Sequence, residues 1–572
     1  MKRLDSDVVI IGGGPFGLML AIELGRRGVS AILFDEKPST AVNPQANATQ
    51  ARTMEHYRRL GFASEVRALG LPSDFPTDIA YFTRFAGHEL ARFKLPSARE
   101  ATQLVTTLSG SWSAAELPHR VSQKFVEQVL CRHAHATKGI SVNYGWRVTD
   151  FVDKGDHVEA RAVELESGRE RMVTAQYLAG GDGARSFTRR TLGIQLAGEA
   201  GAVRDFFGGR MYAAYLRAPG FYQRVPHAPA WMNVTFNRER RAFMCPVDGK
   251  GEFAFHTQLR EGEDESKMSR ADALGLFHQA AGAPIDAEVL STGTWTAGYT
   301  LVAEKFRVGR VLIGGDAAHL FTPTGGLGYN TAVDDAVNLG WKLAAMIKGT
   351  GGPGLLVSYE AERKPVALRN TGYARKFADS LGLYVPQQEI EAEGPAGEAA
   401  RAAAGAYLAA HGRTEFNIPG ITFGARYDGS PIIVADGSIP PADSVNTYVP
   451  TASPGGRAPH LWLDPETSLY DRFGFEWTVL RIGAAAPPVD QLAAAAARMR
   501  LALTVLDLPR SDALDLYEAP LALVRPDQVV AWRGSRESDA IAALTTVSGE
   551  GRSRAQVTAH ATARATFSSD DG

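Results

Sequence analysis

Cysteine is nearly missing: in 572 residues only Cys131 and Cys245 occur, far apart and without a CxxC pair. That excludes a disulfide framework, a zinc ribbon and a dithiol redox centre, and it favours a reducing compartment. A surplus of one charge sign is missing too, since 61 Lys+Arg against 63 Asp+Glu leave a net charge of −2. No bulk field draws the chain to nucleic acid or to an anionic membrane surface, so neither is expected as a partner. Long apolar runs are also absent. The polar start 1–7 enters Val8-Val9-Ile10-Ile11 directly, too short for a signal-peptide core and far short of a membrane span. With 45% hydrophobic and 22% charged residues, the composition is that of a folded protein with several cores, and a cytoplasmic enzyme is the expectation.

What is present is punctuated by glycine. Residues 7–35 read as strand, glycine turn, helix and strand, a βαβ unit. Helices are expected at 51–60 and 122–136, an antiparallel meander at 141–177, and a separate β-rich layer at 206–295, where aromatic and β-branched residues abound without helical periodicity. A short buried strand at 311–315 precedes a helix whose apolar positions from Val333 to Ile347 recur at i, i+3, i+4. The Ala-, Glu- and Gly-rich stretch within 386–415 reads as a linker. Beyond it lies another α/β unit, with strands at 477–482, 501–506 and 521–524 around a helix at 489–500. Val524-Arg525-Pro526-Asp527 reads as a strand end and turn, and 549–572 as a frayed tail.

Chemistry begins at Gly12-x-Gly14-x-x-Gly17, with Pro15 opening the helix. Absent side chains there allow a tight turn and let a pyrophosphate approach the amides of a helix N-terminus. The bare pattern is weak, because 59 glycines in 572 residues produce it by composition in roughly 0.6 windows. Its place between strand and helix strengthens it, as does Asp35 at the end of the next strand. Asp35 can accept hydrogen bonds from an unphosphorylated ribose, which points to FAD or NAD.

Two more glycine–aspartate clusters follow: Gly180-Gly181-Asp182-Gly183-Ala184-Arg185-Ser186 with Arg189, and Gly314-Gly315-Asp316-Ala317-Ala318-His319 leading to Pro323-Thr324-Gly325-Gly326-Leu327-Gly328-Tyr329-Asn330. In their order and spacing the chain resembles the single-component flavoprotein aromatic hydroxylases, the class of phenol hydroxylase and 3-(3-hydroxyphenyl)propionate hydroxylase, over about residues 5–375. The C-terminal part resembles the thioredoxin-like extension of the longer members, here without a CxxC. The implied fold class is α/β: a Rossmann-like FAD-binding domain of glutathione-reductase type (1–75, 120–190 and 300–385) interleaved with a β-rich substrate domain (76–119 and 191–299). After the linker come a thioredoxin-like domain at 416–548, assigned to packing or homodimer support, and the tail.

The resemblance also implies roles. FAD is the bound cofactor, NADH or NADPH the reductant and O2 the co-substrate, with a small aromatic compound hydroxylated through a flavin C4a-hydroperoxide. Asp182 helps hold the pyrophosphate region and Arg189 steadies the loop. Asp316 accepts from the ribityl chain, which Gln123 also reaches, and the loop from Pro323 through Gly326 and Gly328 to Asn330 offers amides to the ring. Gln45 stands where many relatives have arginine, and Arg52 opens the Arg-Thr-Met-Glu helix beside the flavin. Asn47 stands where phenol-oxidising members carry an aspartate or histidine; an amide cannot take the proton, though it can orient a hydroxyl. His256 is a substitute base or hydrogen-bond donor, and Tyr212, Trp231, Asn233 and Met244 are candidate pocket residues. His319 is expected to be structural, and no metal is expected. Baeyer–Villiger or epoxidising chemistry on a polycyclic substrate is the alternative within flavin chemistry. A non-oxygenating flavoprotein, or a flavin-binding scaffold, is the alternative outside it.

Overall fold

A computed structural model describes residues 4–202 and 204–550. The tail expected at 549–572 therefore lies, from residue 551 on, outside the described residues. Gly549 itself is buried, with its carbonyl accepting from the Gly354 amide.

A mostly parallel sheet forms the first layer. Strand Ser6–Ile11 runs between Ala31–Asp35 and Glu170–Gly180, with Ile140–Tyr144 beyond one neighbour and Val311–Ile313 beyond the other, all in parallel. The runs 8–11 and 31–34 at its centre are apolar throughout, because helices cover one face and an antiparallel meander the other. Helix Pro15–Arg26 buries Leu18, Met19, Ala21 and Ile22 against helix Leu327–Lys348, while Trp146–Asp153 and Val158–Glu164 extend the sheet antiparallel.

A second, seven-stranded sheet stands over the first. Its order runs Glu288–Thr296, Arg210–Arg217, Glu252–Gln258, Ala242–Pro246, Met232–Thr235, Ile79–Phe82, Glu89–Phe93. Directly opposed residues share a face, so Asn233, Met244 and Phe255 lie on one side while Val234, Phe243 and His256 lie on the other. Helix Arg270–Ala281 closes the first of these faces with Leu276 and Phe277.

The stretch expected to be a linker is ordered. Pro395–Phe416 is a helix, preceded by a short turn at Gln388–Glu391. Its alanines, the strongest helix formers, repeat so that Ala400, Ala404 and Leu408 bury a stripe in the cluster that also holds Tyr81 and Trp231. Composition alone suggested a linker; the spacing of its buried alanines decides for a helix.

The C-terminal unit has the order strand Trp477–Ile482, helix Asp490–Arg498, strand Leu503–Leu508, helix Ser511–Tyr517, strands Leu521–Val524 and Val530–Gly534, helix Glu537–Val547. The first two strands are parallel and the last two join antiparallel. Its seam with the first layer is a buried ion cluster. Glu362 accepts from Arg525 Nη1 and Nη2 at 2.7 and 2.9 Å and from Lys342 Nζ at 2.6 Å, and Arg525 also grips Asp527 at 2.6 Å. Residues 524–527 are thus more than a strand end and turn: Arg525 and Asp527 fasten the unit. Burial acts against the charge on Lys342 and lowers its pKa to about 7, despite the adjoining Glu362 carboxylate.

Candidate active site

The three glycine clusters meet along one edge of the parallel sheet. Gly12 sits at φ +107°, and a Cβ there would meet the Gly181 carbonyl oxygen at 2.2 Å, so the first and second turns touch through bare backbone. Gly17 is equally confined, its Cβ position 1.9 Å from the Gly12 oxygen. Gly14 differs. It is the N-cap of helix Pro15–Arg26, provides no side-chain cap, and a Cβ added to it would meet nothing within 4 Å. The positive end of the helix dipole, with Pro15 at its first position, therefore faces open space, the arrangement that takes a pyrophosphate. Asp35 stands beside it, its carboxylate accepting from the Gly13 amide at 2.6 Å and the Lys37 amide at 2.7 Å.

Asp182 is turned into its own loop. It accepts from Ser186 Oγ at 2.5 Å and from the Thr188 amide at 2.8 Å, and Arg189 bridges the Ala184 and Ala317 carbonyls at 3.0 Å each. Arg189 thus ties the second cluster to the third. There, Asp316 is exposed, yet the surrounding protein desolvates it enough to raise its pKa, with His319 and Lys37 acting in the opposite direction. The turn that presents Asp316 is clamped from behind by Asp335. That carboxylate accepts from His319 Nε2 at 2.6 Å, the Gly315 amide at 3.1 Å and Arg363 Nε at 2.7 Å, all buried. His319 is structural in this arrangement.

The loop after it is held open by left-handed glycines. Gly325 and Gly326 have φ of +64° and +63°, and a Cβ at Gly326 would press on the Ala48 methyl at 2.8 Å. Asn330 does not reach outward: it donates to the Ala48 and Gly326 carbonyls at 2.9 and 2.6 Å and accepts from the Gln50 amide at 2.8 Å. Gln50 in turn donates to the Gly325 carbonyl at 2.9 Å. Pro323 is exposed, and Gly328 lies in the first helical turn with room for a side chain. The Gly325 amide donates to Glu415 Oε1 at 2.8 Å, so the helix misread as a linker braces this loop.

The segment before Gln50 lies across the cleft. Ala48–Thr49 pairs with His119–Arg120, and the Gln123 amide donates to the Ala46 carbonyl at 2.7 Å. Gln123 Nε2 donates to Glu127 at 2.7 Å and to the exposed Gln45 at 3.3 Å, keeping Gln45 and Gln123 together on the lip. Asn47 lies against Cys245, whose thiol burial pushes up to about 12, and so both are neutral.

Several expected site residues are elsewhere. Arg52 is directed away from the cleft: Nη1 bonds Glu55 at 2.9 Å and Gln528 at 2.6 Å, and Nη2 bonds the Asp527 carbonyl at 2.6 Å. It latches the C-terminal unit, because the first turn of helix Ala51–Leu60 abuts that unit. Tyr212 and Met244 are core residues under helix Arg270–Ala281. Asn233 Nδ2 is bound to the Ala230 and Met244 carbonyls at 3.2 and 3.3 Å. A β-rich layer was expected here, but these three side chains belong to the opposite pleat. Trp231 does belong to the cleft side, in one cluster with Ala48.

His256 is on the cleft side as well, stacked on Phe243 with centroids 4.5 Å apart and planes 11° apart. Burial lowers its pKa to about 4. Its Nδ1 accepts from Trp295 Nε1 at 3.1 Å, which assigns the proton of the neutral ring to Nε2. His256 can donate from that nitrogen, while the lone pair a base would use is engaged by Trp295. Sequence reasoning missed Asp335, Arg363 and Glu415. A charge at 335 among the apolar positions Val333, Ala336 and Val337 was the available signal.

The three glycine turns, the open helix end at Gly14 and the aromatic face of the second sheet fit a dinucleotide-binding enzyme. Residues 5–373 match the FAD binding domain family and residues 451–551 the aromatic-ring hydroxylase C-terminal domain. The chain is 31% identical over 556 residues to the FAD-dependent monooxygenase apdD of Emericella nidulans, covering 92% of this chain and 87% of the relative. It is 31% identical to the aklavinone 12-hydroxylase DnrF of Streptomyces peucetius, over 84% of this chain and 92% of the relative. The structure of the rebeccamycin biosynthetic enzyme RebC with reduced flavin superposes with a TM-score of 0.84 at 32% identity, over 96% of this chain and 99% of that one. The chain belongs to the single-component FAD-dependent aromatic hydroxylases.

Proposed function

We propose that this chain is an FAD-dependent monooxygenase that consumes NADH or NADPH and O2 and hydroxylates an aromatic substrate. The observation that carries the reading is the meeting of the three glycine turns, with an open helix end at Gly14 and the exposed Asp316, in a unit that packs at Ala48 against the aromatic face of a second sheet. Gly12, Gly14, Pro15, Gly17 and Asp35 would hold the adenosine diphosphate part of FAD. Asp316, Gln123 and the loop from Pro323 to Gly326 would hold the riboflavin part. When bound, FAD accepts reducing equivalents from the nicotinamide and activates O2.

The chain's own part is positioning, exclusion of water and field. The N-terminus of helix Leu327–Lys348 supports negative charge at the loop before it. Phe207, Phe243 and His256 stack in sequence, with Phe207 and Phe243 centroids 5.5 Å apart, and offer an aromatic ring a dry surface. Asn47 has no basic atom and His256 Nδ1 is engaged by Trp295, so this reading assigns no protein base and relies on donor groups of the substrate to make its ring electron-rich. Labelled O2 tests the reading: one labelled oxygen on a hydroxylated arene is expected, and a lactone, an epoxide or unlabelled product contradicts it.

The strand order and the βαβαββα sequence of the C-terminal unit support a thioredoxin-like fold devoted to packing. A cytoplasmic location is supported by the two free cysteines. Among the described residues no helix is long and apolar enough to cross a membrane.

A further inference from the structure

One cation in the cleft lacks a counter-charge. Arg120, in the two-residue strand that pairs with Ala48–Thr49, is 7% exposed, and its guanidinium lies over the Trp231 ring at 4.3 Å. Among the described residues no carboxylate, hydroxyl or carbonyl accepts from that guanidinium. The other buried arginines all have an acceptor, as Arg204 has Asp379, Arg240 has Glu263, Arg241 has Asp205 and Arg457 has Glu55. Nor are the Arg120 nitrogens among the sealed atoms left without a partner. They are therefore not sealed off, although the residue is buried.

A buried, unpaired guanidinium is costly, and the cost is recovered when an anion arrives. Desolvation lowers the Arg120 pKa only to about 10, so the group stays charged. The adjoining Cys245 thiol, raised to about 12, provides no internal anion. The Trp231 ring covers the guanidinium from one side at 4.3 Å, and a forked guanidinium without an acceptor matches a two-oxygen carboxylate. The pyrophosphate has its own place at Gly14, on the parallel-sheet side. The neighbours of Arg120 are Trp231 and Cys245, both of the second sheet's segment.

Building on the monooxygenase reading, we propose that the substrate is an aromatic carboxylate whose anionic group pairs with Arg120 beside Trp231, the ring extending along the Phe243–His256 face. Arg120 would then decide specificity by orienting the ring.

The test uses the full FAD-loaded chain and follows the bound flavin's absorbance during titration with a hydroxynaphthoate and with the carboxamide of the same substitution pattern. The acid is expected to bind at least about tenfold more tightly than the amide, the yield of one charge-assisted hydrogen-bond pair. Arg120→Leu should erase that preference while FAD occupancy and amide affinity persist, and Arg120→Lys should restore part of it. Equal binding of acid and amide by the unaltered chain overturns the proposal, as does an acid preference that survives Arg120→Leu. An acid that leaves the flavin spectrum unchanged at millimolar concentration overturns it too, and so does loss of FAD from both variants, which would place Arg120 in the cofactor site. A chain that selects the acid through Arg120 yet inserts no labelled oxygen retains this inference and fails only the monooxygenase reading.

Discussion

The seam to the C-terminal unit and the cleft above the parallel sheet are both rich in charge, but they treat it oppositely. At the heart of the seam the ions are buried and answered: Arg457 Nε meets Glu55 at 3.1 Å, and Arg525 meets both Glu362 and Asp527. In the cleft the groups that matter are left open: the helix end at Gly14, the Asp316 carboxylate and the Arg120 guanidinium. Satisfied charge marks structure; unsatisfied charge marks where a ligand supplies the missing partner. Glu55 shows the first half. Burial alone would raise its pKa, but Arg457 and Arg52 outweigh that and hold it at about 2.

The largest effect is expected at the seam. Glu362→Gln leaves Arg525 and Lys342 buried with one acceptor lost, and should cost about 3–5 kcal/mol, read as a lowered melting temperature in apoprotein and holoprotein alike. Asp316→Asn should do the reverse. The apoprotein should melt unchanged, while FAD affinity falls about tenfold to a hundredfold, the weight of a hydrogen bond to a charged acceptor. Equilibrium dialysis against free FAD reads that loss.

Glu415→Ala removes the acceptor of the Gly325 amide from a loop otherwise tied by Gln50 and Asn330. It should lower turnover severalfold with FAD retained; turnover equal to the unaltered chain would show that the helix only packs. Smallest is the pH effect of His256. Its folded pKa of about 4 lies below the ordinary 6.5, so its neutral ring adds stability above pH 6.5 that is lost as pH falls toward 4. The pH profile of kcat/KM for His256→Gln should therefore keep the unaltered shape between about pH 6 and pH 9, and a limb that disappears with the variant would restore His256 as a titrating group.

The glycine turns were legible in the sequence because their requirements are local. Gly12 needs a positive φ, Gly17 needs a missing Cβ, and both needs are written in one contiguous turn. The substrate side was not, since it depends on which pleat of a strand faces the flavin domain. A one-residue error in parity named Tyr212, Asn233 and Met244 and left out Phe243, although His256, on the same face as Phe243, was named. Arg525 and Arg52 were misread for a related reason: their partners are far away in the chain, and nothing near them in sequence records the contact. Alanine-rich 395–416 shows that composition can hide a helix whose function, through Glu415, lies at its last turn.

The most direct measurement is FAD binding by apoprotein of the unaltered chain and of Gly14→Val. Gly14 has φ −82° and open space around its Cβ position, so valine fits the apoprotein and fills only the space proposed for the pyrophosphate. The account predicts one equivalent of FAD bound by the unaltered chain, and none by a variant that melts at the same temperature. A Gly14→Val chain that binds FAD as tightly as the unaltered one, or an unaltered chain that stays colourless after reconstitution, would contradict it.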